Sequence, residues 1–320
     1  SLWCWGVIDG ASHTPITAFA TRMRGVDRVA LSAPADRYSC ALRQDQTVWC
    51  WGAHRFVIGA QGFDGWLPPE PLPGLSQIRT LSDTCAIDND GAVFCWGGNV
   101  EQRHAPGAGQ RIPPTRIAGL PPSIAVGHLG GRTCAMTREG QLFCWGTSNE
   151  HDPRLAGLPL GSHGVLAGPR ASAPVESMSS SGTHLCALTI RGEVECVGRT
   201  SSAQIRRTEF GFDEPEFLRV PTPTRAMGVS TAVQLTTALL ANGQVVEWGA
   251  TAFGQRDEPS AVPGVDRASL VATGDTGSGT MTCAARERRI WCWGERGAAH
   301  FGPDSRHGGQ QPPTLIRWRE

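Results

Sequence analysis

The sequence predicts an all-β repeat protein whose repeat has the length of a four-stranded propeller blade. A phrase of the form Cys-Ala…Cys-Trp-Gly, written CAIDNDGAVFCWG at Cys85–Gly97, returns along the whole chain. Its Trp-Gly mark, or an equivalent, falls at seven places, and the six intervals from Trp5 to Trp293 span 288 residues, a mean of 48. Propeller repeats are roughly 40 to 50 residues long. Apolar residues follow no 3.6-residue period, which argues against helices.

The copies of the phrase share a hairpin-length block that ends in Gly, and one of them has no cysteine. They are Cys40–Gly52, Cys85–Gly97, Cys134–Gly146, Cys186–Gly198, Thr237–Gly249 and Cys283–Gly294, with the end of a further copy at Leu2–Gly6. We expect one domain over residues 1–320, made of about seven repeats of 45–52 residues, because a single repeat cannot bury its apolar face alone.

The third interval shows the elements of one repeat most clearly. A short apolar run at Ile124–Val126 is followed by a Gly-rich turn at Gly127–Gly131. A strand is then predicted at Thr133–Met136, and after the turn at Arg138–Gly140 another at Gln141–Trp145. Short β-prone runs separated by turn residues predict consecutive antiparallel strands.

A fourth strand is predicted after the Trp-Gly mark, where proline recurs. Proline is tolerated at the start of an edge strand because the donor it lacks would face solvent. These predicted strands are Pro114–Ile117, Pro174–Val175, Pro259–Val262 and Pro313–Ile316.

The two ends of the chain predict an incomplete blade. The 26 residues after Gly294 and the six of Ser1–Gly6 make 32, about 16 fewer than one mean repeat. The missing part corresponds to the segment that carries the first cysteine elsewhere. We therefore expect one blade to be incomplete through N-terminal truncation.

Composition argues for a folded protein without a long-range electrostatic field. The chain has 29 basic and 29 acidic residues, so nothing draws it to nucleic acid, and no apolar run is long enough to enter a bilayer. Every basic residue is arginine, which with the Ala, Gly and Pro content indicates a GC-rich, bacterial genome. We expect a monomer without nucleic-acid partner, membrane insertion or cofactor.

Ten of the eleven cysteines form couples nine or ten residues apart. In a hairpin centred on the turn, the members of a couple face each other, close enough for a disulfide. Thr237 and Glu247 replace both members of one couple together, and pairwise loss is what a bond predicts. The alternative is that the cysteines are small buried thiols. The predicted disulfides are Cys40–Cys50, Cys85–Cys95, Cys134–Cys144, Cys186–Cys196 and Cys283–Cys292.

Disulfides in this number indicate an oxidising compartment, so we expect an extracellular, periplasmic or cell-surface protein. A zinc site is not expected, since no CxxC occurs and each couple offers only two ligands. His184, two residues before Cys186, is interpreted as a strand or turn residue and not as a metal ligand.

The tryptophans of the Trp-Gly marks recur at one fixed place per repeat and are interpreted as packing between blades. Aromatic residues and cations that do not recur lie in the variable segments after Trp-Gly, where a scaffold presents its loops. These candidate partner-binding residues are Arg55, Phe56, Trp66, Arg103, His104, Arg206, Phe210, Phe212, His300 and Phe301.

No catalytic constellation is evident in the sequence. The aspartic protease signature appears once, as Asp275-Thr276-Gly277-Ser278, but that chemistry needs a second carboxylate and no second signature occurs. Its position matches the Gly-rich turn of other repeats. Walker, GxGxxG, HExxH and GxSxG motifs are absent.

The pattern Gly-x-x-x-Cys-Ala-Leu, Asp/Asn-Gly-x-Val, Cys-Trp-Gly resembles the regulator of chromosome condensation repeat. The copy with Asn242-Gly243, Trp248-Gly249 and Phe253-Gly254-Gln255 is nearest to it, whereas other copies depart from the second half. The resemblance implies a seven-bladed β-propeller closed by strands from both ends of the chain. It also implies guanine-nucleotide exchange or chromatin-type regulation, although fold does not fix function.

Three hypotheses about function follow. The first is a non-catalytic binding module that presents variable loops on a disulfide-stapled propeller to a protein or cell-surface component. The second is an enzyme whose residues converge at the central channel, with Asp83, Glu193 and Asp266 as acidic candidates. The third is exchange or chromatin-type regulation by family analogy.

Overall fold

The fold was obtained as a computed structural model of the chain, and the described residues form only strands and their connections. The description covers residues 2–6, 17–34, 38–53, 66–82, 84–98, 111–146, 165–205, 214–275, 279–295 and 310–316.

Six antiparallel sheets of four strands each follow one another along the chain as blades 1 to 6. Blade 1 contains β3 (Val29–Pro34), β4 (Tyr38–Arg43), β5 (Val48–Ala53) and β6 (Trp66–Pro71). Blade 2 contains β7 (Ile78–Leu81), β8 (Cys85–Asp88), β9 (Val93–Gly98) and β10 (Arg111–Arg116). Blade 3 contains β11 (Ser123–Leu129), β12 (Arg132–Thr137), β13 (Gln141–Trp145) and β14 (Leu166–Arg170).

The second half of the chain repeats this order, with consecutive strands paired. Blade 4 contains β15 (Val175–Ser180), β16 (His184–Thr189), β17 (Val194–Gly198) and β18 (Glu214–Val220). Blade 5 contains β19 (Ala226–Ala232), β20 (Leu235–Leu240), β21 (Val245–Thr251) and β22 (Gly254–Ala261). Blade 6 contains β23 (Leu270–Asp275), β24 (Thr280–Arg286), β25 (Arg289–Glu295) and β26 (Gln310–Leu315).

Seven blades were predicted, one of them incomplete, and the described residues form six four-stranded blades. The seventh sheet has two strands, β1 (Trp3–Gly6) and β2 (Thr17–Arg22). β26 pairs with β25 and β1 pairs with β2, so the described ends of the chain do not join in one sheet. Since β26 follows the Trp-Gly mark of its own repeat, it completes blade 6.

The predicted strands of the third interval are present, with two changes of bounds. β11 runs to Leu129, so the turn is confined to Gly130–Gly131. Val175, predicted in a fourth strand, begins the first strand of blade 4, whereas the fourth strand of blade 3 is β14. The other three proline segments do lie in outermost strands, as predicted for edge positions.

In five of the six complete blades the central hairpin brings a cysteine couple together. Cys134 stands directly opposite Cys144 in the ladder, and the other four couples face each other in the same way. All five couples are joined, with S–S distances of 2.08 to 2.15 Å. In blade 5 the opposed pair is Thr237 and Glu247.

The Trp-Gly tryptophans fill the seams between blades, as predicted. Trp96, Trp145, Trp248 and Trp293 are completely buried. Each of the first three shares a core cluster with the disulfide of the preceding blade, and Val197 does the same where Trp is replaced. These combinations are Trp96 with Cys40–Cys50, Trp145 with Cys85–Cys95, Val197 with Cys134–Cys144 and Trp248 with Cys186–Cys196.

The glycine of the mark is required by close backbone packing. Gly198 and Gly249 have φ values of +112° and +100°, a region that favours glycine. A Cβ on Gly198 would lie 2.7 Å from the carbonyl oxygen of Thr183, and a Cβ on Gly249 would collide with the carbonyl oxygen of Gln234. The ladder register also shifts at this point in blades 1, 4, 5 and 6, which is a β-bulge.

We predict that Gly249→Ala lowers the free energy of unfolding by about 2 kcal/mol or more, because it adds both a collision and a positive φ on alanine. Gly228→Ala is the matched control. Gly228 lies within β19 without positive φ, and its added Cβ would meet only Leu239 at an ordinary 3.8 Å. Urea unfolding measures both variants, and equal losses would contradict the explanation.

We also predict one free thiol per chain when the protein is denatured without reductant, since ten of eleven cysteines are paired. Thiol titration before and after reduction measures the number. More than about two free thiols before reduction would overturn the disulfide assignment.

Candidate functional site

The topology places all variable segments at one end of the propeller. The first strands of neighbouring blades contact each other, so they are innermost and surround the axis. Within a blade, consecutive strands are antiparallel, so the first and third strands end on the same side. We call this side the loop face. The loop face contains the turn from the first to the second strand and the connection from the third to the fourth strand. We call the opposite end the turn face. It contains the turn from the second to the third strand and the connection to the next blade.

Nine of the ten predicted partner-binding residues belong to connections whose flanking strands end at the loop face, and the tenth, Trp66, begins a strand. The flanking strand ends of segments 54–65, 99–110, 206–213 and 296–309 lie there. Nine of the ten predicted residues lie outside the described residues: Arg55, Phe56, Arg103, His104, Arg206, Phe210, Phe212, His300 and Phe301. Trp66 begins β6, where it pairs with Ala53 in the ladder.

Hydroxyl groups join neighbouring inner strands near the loop face from blade 3 to blade 6. The amide of His128 donates to Ser180 Oγ at 2.9 Å, between blades 3 and 4. The amide of Thr231 donates to Ser179 Oγ at 3.0 Å, between blades 4 and 5. Ser230 Oγ accepts in the same way from the amide of Thr273, at 2.8 Å, between blades 5 and 6. These bonds fix the inner rim of the loop face.

His184 lies at the start of β16 and forms a buried hydrogen-bond chain between blades 4 and 5. Thr236 Oγ1 donates to the carbonyl of Gln204 at 2.7 Å, so it accepts from His184 Nε2, 2.6 Å away. Nδ1 lies 3.1 Å from Ser181 Oγ and 3.2 Å from Thr183 Oγ1; Thr183 Oγ1 donates to Val233 O, and Ser181 Oγ also lies 3.3 Å from the His184 carbonyl oxygen. Burial keeps the imidazole neutral, so its single ring proton is the one that Nε2 donates to Thr236.

The neighbouring serine and histidine do not form a nucleophilic pair. Burial lowers the pKa of His184 to about 3, so its imidazole is too weak a base to take the proton of Ser181 near neutral pH. The predicted structural role of His184 agrees with this position.

The Asp-Thr-Gly-Ser sequence begins at the end of the innermost strand of blade 6. Both carboxylate oxygens of Asp275 accept from the amide of Val233 in blade 5, at 3.2 and 3.0 Å. Burial raises the pKa of Asp275, and the bond from Val233 opposes this effect. The carboxylate therefore joins two blades, which is a structural role for the signature residue.

Of the six complete blades, blade 5 has the shortest connection between its third and fourth strands, and the sequence analysis assigned this connection no role. β21 and β22 are joined by Ala252 and Phe253 alone. Arg256 lies over the Phe253 ring at 5.6 Å, and Gln255 reaches the carbonyl of Ser202 in the neighbouring connection at 2.6 Å. This copy is the one nearest to the regulator of chromosome condensation repeat. Its contacts with the neighbouring blade could not be predicted, because the sequence does not show which residues of other blades lie beside it.

The acidic candidates for an enzyme do not converge. Glu193 and Asp266 lie on the turn face, in the connections beside β17 and β23, and Glu193 pairs with Arg219 at 3.0 Å. Asp83 lies outside the described residues. In the described part of the chain, no three His, Cys, Asp or Glu side chains are placed to hold a metal ion. None of the described segments is a helix able to cross a membrane.

Comparison with known proteins identifies the fold. No family model matches the chain, and no curated protein matches its sequence. Prp20p from Saccharomyces cerevisiae superposes with a TM-score of 0.78 at 16% identity, over 98% of this chain and 85% of that one. Its structure was reported with its binding properties to Gsp1p and histones. The same yeast protein, named RCC1 (Prp20) and bound to Kap60, gives a TM-score of 0.71 at 16% identity, over 90% and 75% of the two chains.

Human WBSCR16 superposes with a TM-score of 0.76 at 14% identity, over 94% of this chain and 84% of that one. At such identities the likeness shows the fold alone. The β-propeller deduced from the repeat is therefore confirmed, and the structural neighbours support the resemblance to the regulator of chromosome condensation repeat.

We predict that His184 makes the protein sensitive to acid. Its pKa falls from 6.5 in the unfolded chain to about 3 in the folded one, so its contribution to stability is complete above pH 6.5 and is lost as the pH falls toward 3. Unfolding free energies of the wild type and His184→Gln should therefore converge on acidification, by up to about 4 kcal/mol. A difference between the two proteins that does not change from pH 7 to pH 4 would contradict the assignment.

Proposed function

We propose that this chain is a non-catalytic binding module that holds a protein or cell-surface component with its loop face. The observation that carries the proposal is topological. Every long variable segment between described strands joins a third strand to a fourth, and those strand ends lie at one end of a rigid frame. Binding residues occur preferentially on loops that a rigid scaffold positions.

The frame itself supports a role in presentation. Its hairpins are closed by disulfides in five of six blades, and its seams are filled by buried tryptophans. A scaffold that does not rearrange reduces the entropy lost when its loops bind. The buried ionisable side chains Glu195, His184 and Glu247 each have a hydrogen-bond partner in the frame, which leaves the chemistry of recognition to the connections.

The disulfides also support a location outside the reducing cytoplasm, because structural disulfides persist in oxidising compartments. We infer that the protein works in the periplasm, at the cell surface or outside the cell. This would bring the loop face into contact with envelope or extracellular components.

Charge and structural likeness favour a protein ligand over nucleic acid. The chain has equal numbers of basic and acidic residues, whereas nucleic-acid binding depends on an excess of cations. The structural neighbour Prp20p was reported with the protein partners Gsp1p, histones and Kap60. This likeness is one of fold, so it supports the kind of ligand and does not identify one.

A photo-crosslinking residue placed on either face tests the proposal. Gln234 lies exposed on the loop face between β19 and β20, and Gln44 lies exposed on the turn face between β4 and β5. Extracts of the envelope and culture supernatant of the source organism would be presented to both variants. We expect a ligand to be crosslinked from position 234 and not from position 44.

Shortening segment 54–65 to a Gly-Ser linker in the crosslinking variant provides the second measurement. We expect capture to fall at least tenfold if the segment contributes several contacts. Exchanging residues 89–90 in the turn of blade 2 for Gly-Ser is the control and should leave capture unchanged. Crosslinks that form equally from both faces would contradict the proposed orientation, and failure to capture any ligand would count against the function.

A further inference from the structure

The seam between blades 5 and 6 differs chemically from the four other seams between complete blades. In those seams, the disulfide of one blade meets the side chain of the Trp-Gly position in the next blade. In blade 5 the place of the disulfide is taken by Thr237 and Glu247, which face each other in the ladder. Both residues are at most 1% exposed. An ionisable carboxyl group therefore occupies the position at which the other complete blades have a disulfide, which does not titrate.

Glu247 binds the tryptophan of the next blade. The indole Nε1 of Trp293 donates to Glu247 Oε1 at 2.7 Å. The indole nitrogens of Trp96 and Trp248, which pack in the disulfide seams, are buried without a hydrogen-bond partner. Glu247 thus supplies at this seam the acceptor that the indole nitrogens of Trp96 and Trp248 lack in theirs.

The second oxygen of the same carboxyl group has no partner. Glu247 Oε2 is buried and has no partner at hydrogen-bond geometry, although the hydroxyls of Thr282 and Thr237 lie near enough to the carboxyl group to oppose the effect of burial on its pKa. The polar groups of this seam are threonine hydroxyls, since Thr273 Oγ1 donates to Thr237 Oγ1 at 3.0 Å and lies 3.2 Å from Thr282 Oγ1. A protonated carboxyl is compatible with such a neutral environment, whereas a buried carboxylate without a paired cation is costly.

We propose that the seam between blades 5 and 6 is a proton-controlled joint, in which a proton on Glu247 holds the two blades together and its loss loosens them. The role does not depend on the proposed ligand. It follows from the position of the carboxyl group between two blades, from its bond to Trp293 and from its unsatisfied oxygen.

The electrostatics of the seam place the transition near neutral pH. Burial raises the pKa of Glu247 to about 7, and the bond from Trp293, the hydroxyls of Thr282 and Thr237 and the charge of Arg256 on β22 oppose this effect. Asp275, at the loop-face end of β23, is another acidic group that faces blade 5, where it accepts from the amide of Val233. The folded pKa exceeds the unfolded value of 4.5, so the stabilising effect is complete below pH 4.5 and is lost as the pH rises to 7.

Hydrogen exchange of the wild type at pH 6 and pH 8 tests the joint, after correction for the intrinsic exchange rate. We consider local opening reactions that expose Glu247 to solvent. For the amides of β20, β21, β24 and β25, the equilibrium constant of such opening should rise about tenfold from pH 6 to pH 8. The strands β12 and β13 of blade 3 are the internal control and should change little. In Glu247→Gln, whose amide oxygen can still accept from Trp293, the rise should disappear.

A second variant keeps the test decisive if Glu247→Gln does not fold. The double change Thr237→Cys with Glu247→Cys places a sixth disulfide in the register of the other five, and it should also remove the difference between pH 6 and pH 8. The proposal is overturned if the wild type shows no rise in blades 5 and 6. It is equally overturned if either folded variant shows the same rise as the wild type.

Discussion

Packing of the Trp-Gly side chain of one blade against the closed hairpin of the preceding blade is the contact on which the propeller depends. In blades 1, 4, 5 and 6 the ladder bulges at the Trp-Gly position, and the residue that follows it is glycine in every copy. At Gly249 any larger residue would meet the backbone of the first-to-second-strand turn. A disulfide fixes the opposite side of the seam at the height of the indole. One short sequence phrase therefore defines both surfaces of the four interfaces from blade 1 to blade 5.

Two blades depart from this phrase, and in both a buried carboxyl group forms hydrogen bonds at the altered position. In blade 4 the chain reads Glu195-Cys196-Val197, and Glu195 accepts from the amide of Ser172 at 2.8 Å and from its hydroxyl group. In blade 5 Glu247 replaces a cysteine and accepts from Trp293. The frame therefore tolerates an acid in its interior where a neighbouring blade provides the donor. The cost of burial appears as a raised pKa at Glu247.

The sequence alone predicted the parts of the fold that repeat. The period, the facing cysteines and the tryptophan seams follow from comparing copies, and the structure confirms them. The prediction failed where a single copy was interpreted by composition: Pro174–Val175 was predicted as a fourth strand, but Pro174 lies in a connection and Val175 begins the first strand of blade 4. The closure implied by the family resemblance is not seen among the described residues, where the strand after Gly294 completes its own blade.

The candidate site was less accessible to sequence reasoning. Variable segments could be recognised, but only the alternation of strand directions shows that all of them leave one face. The hydrogen-bond chain of His184 includes a bond between residues 52 positions apart, so no local sequence pattern predicts it. Glu247 was recognised as the replacement of a cysteine, whereas its partner Trp293 had the appearance of an ordinary seam residue.

The spacing of the cysteines has a consequence for how the chain is made. Each disulfide closes a separation of only nine or ten residues within one hairpin. Eight cysteines can already pair in 105 ways, but loops of about ten residues close in roughly 10 to 100 ns, far faster than distant segments meet. A nascent blade therefore needs no later part of the chain to find its correct bond. Oxidation can proceed hairpin by hairpin in the order of synthesis, and mispaired intermediates are avoided by proximity.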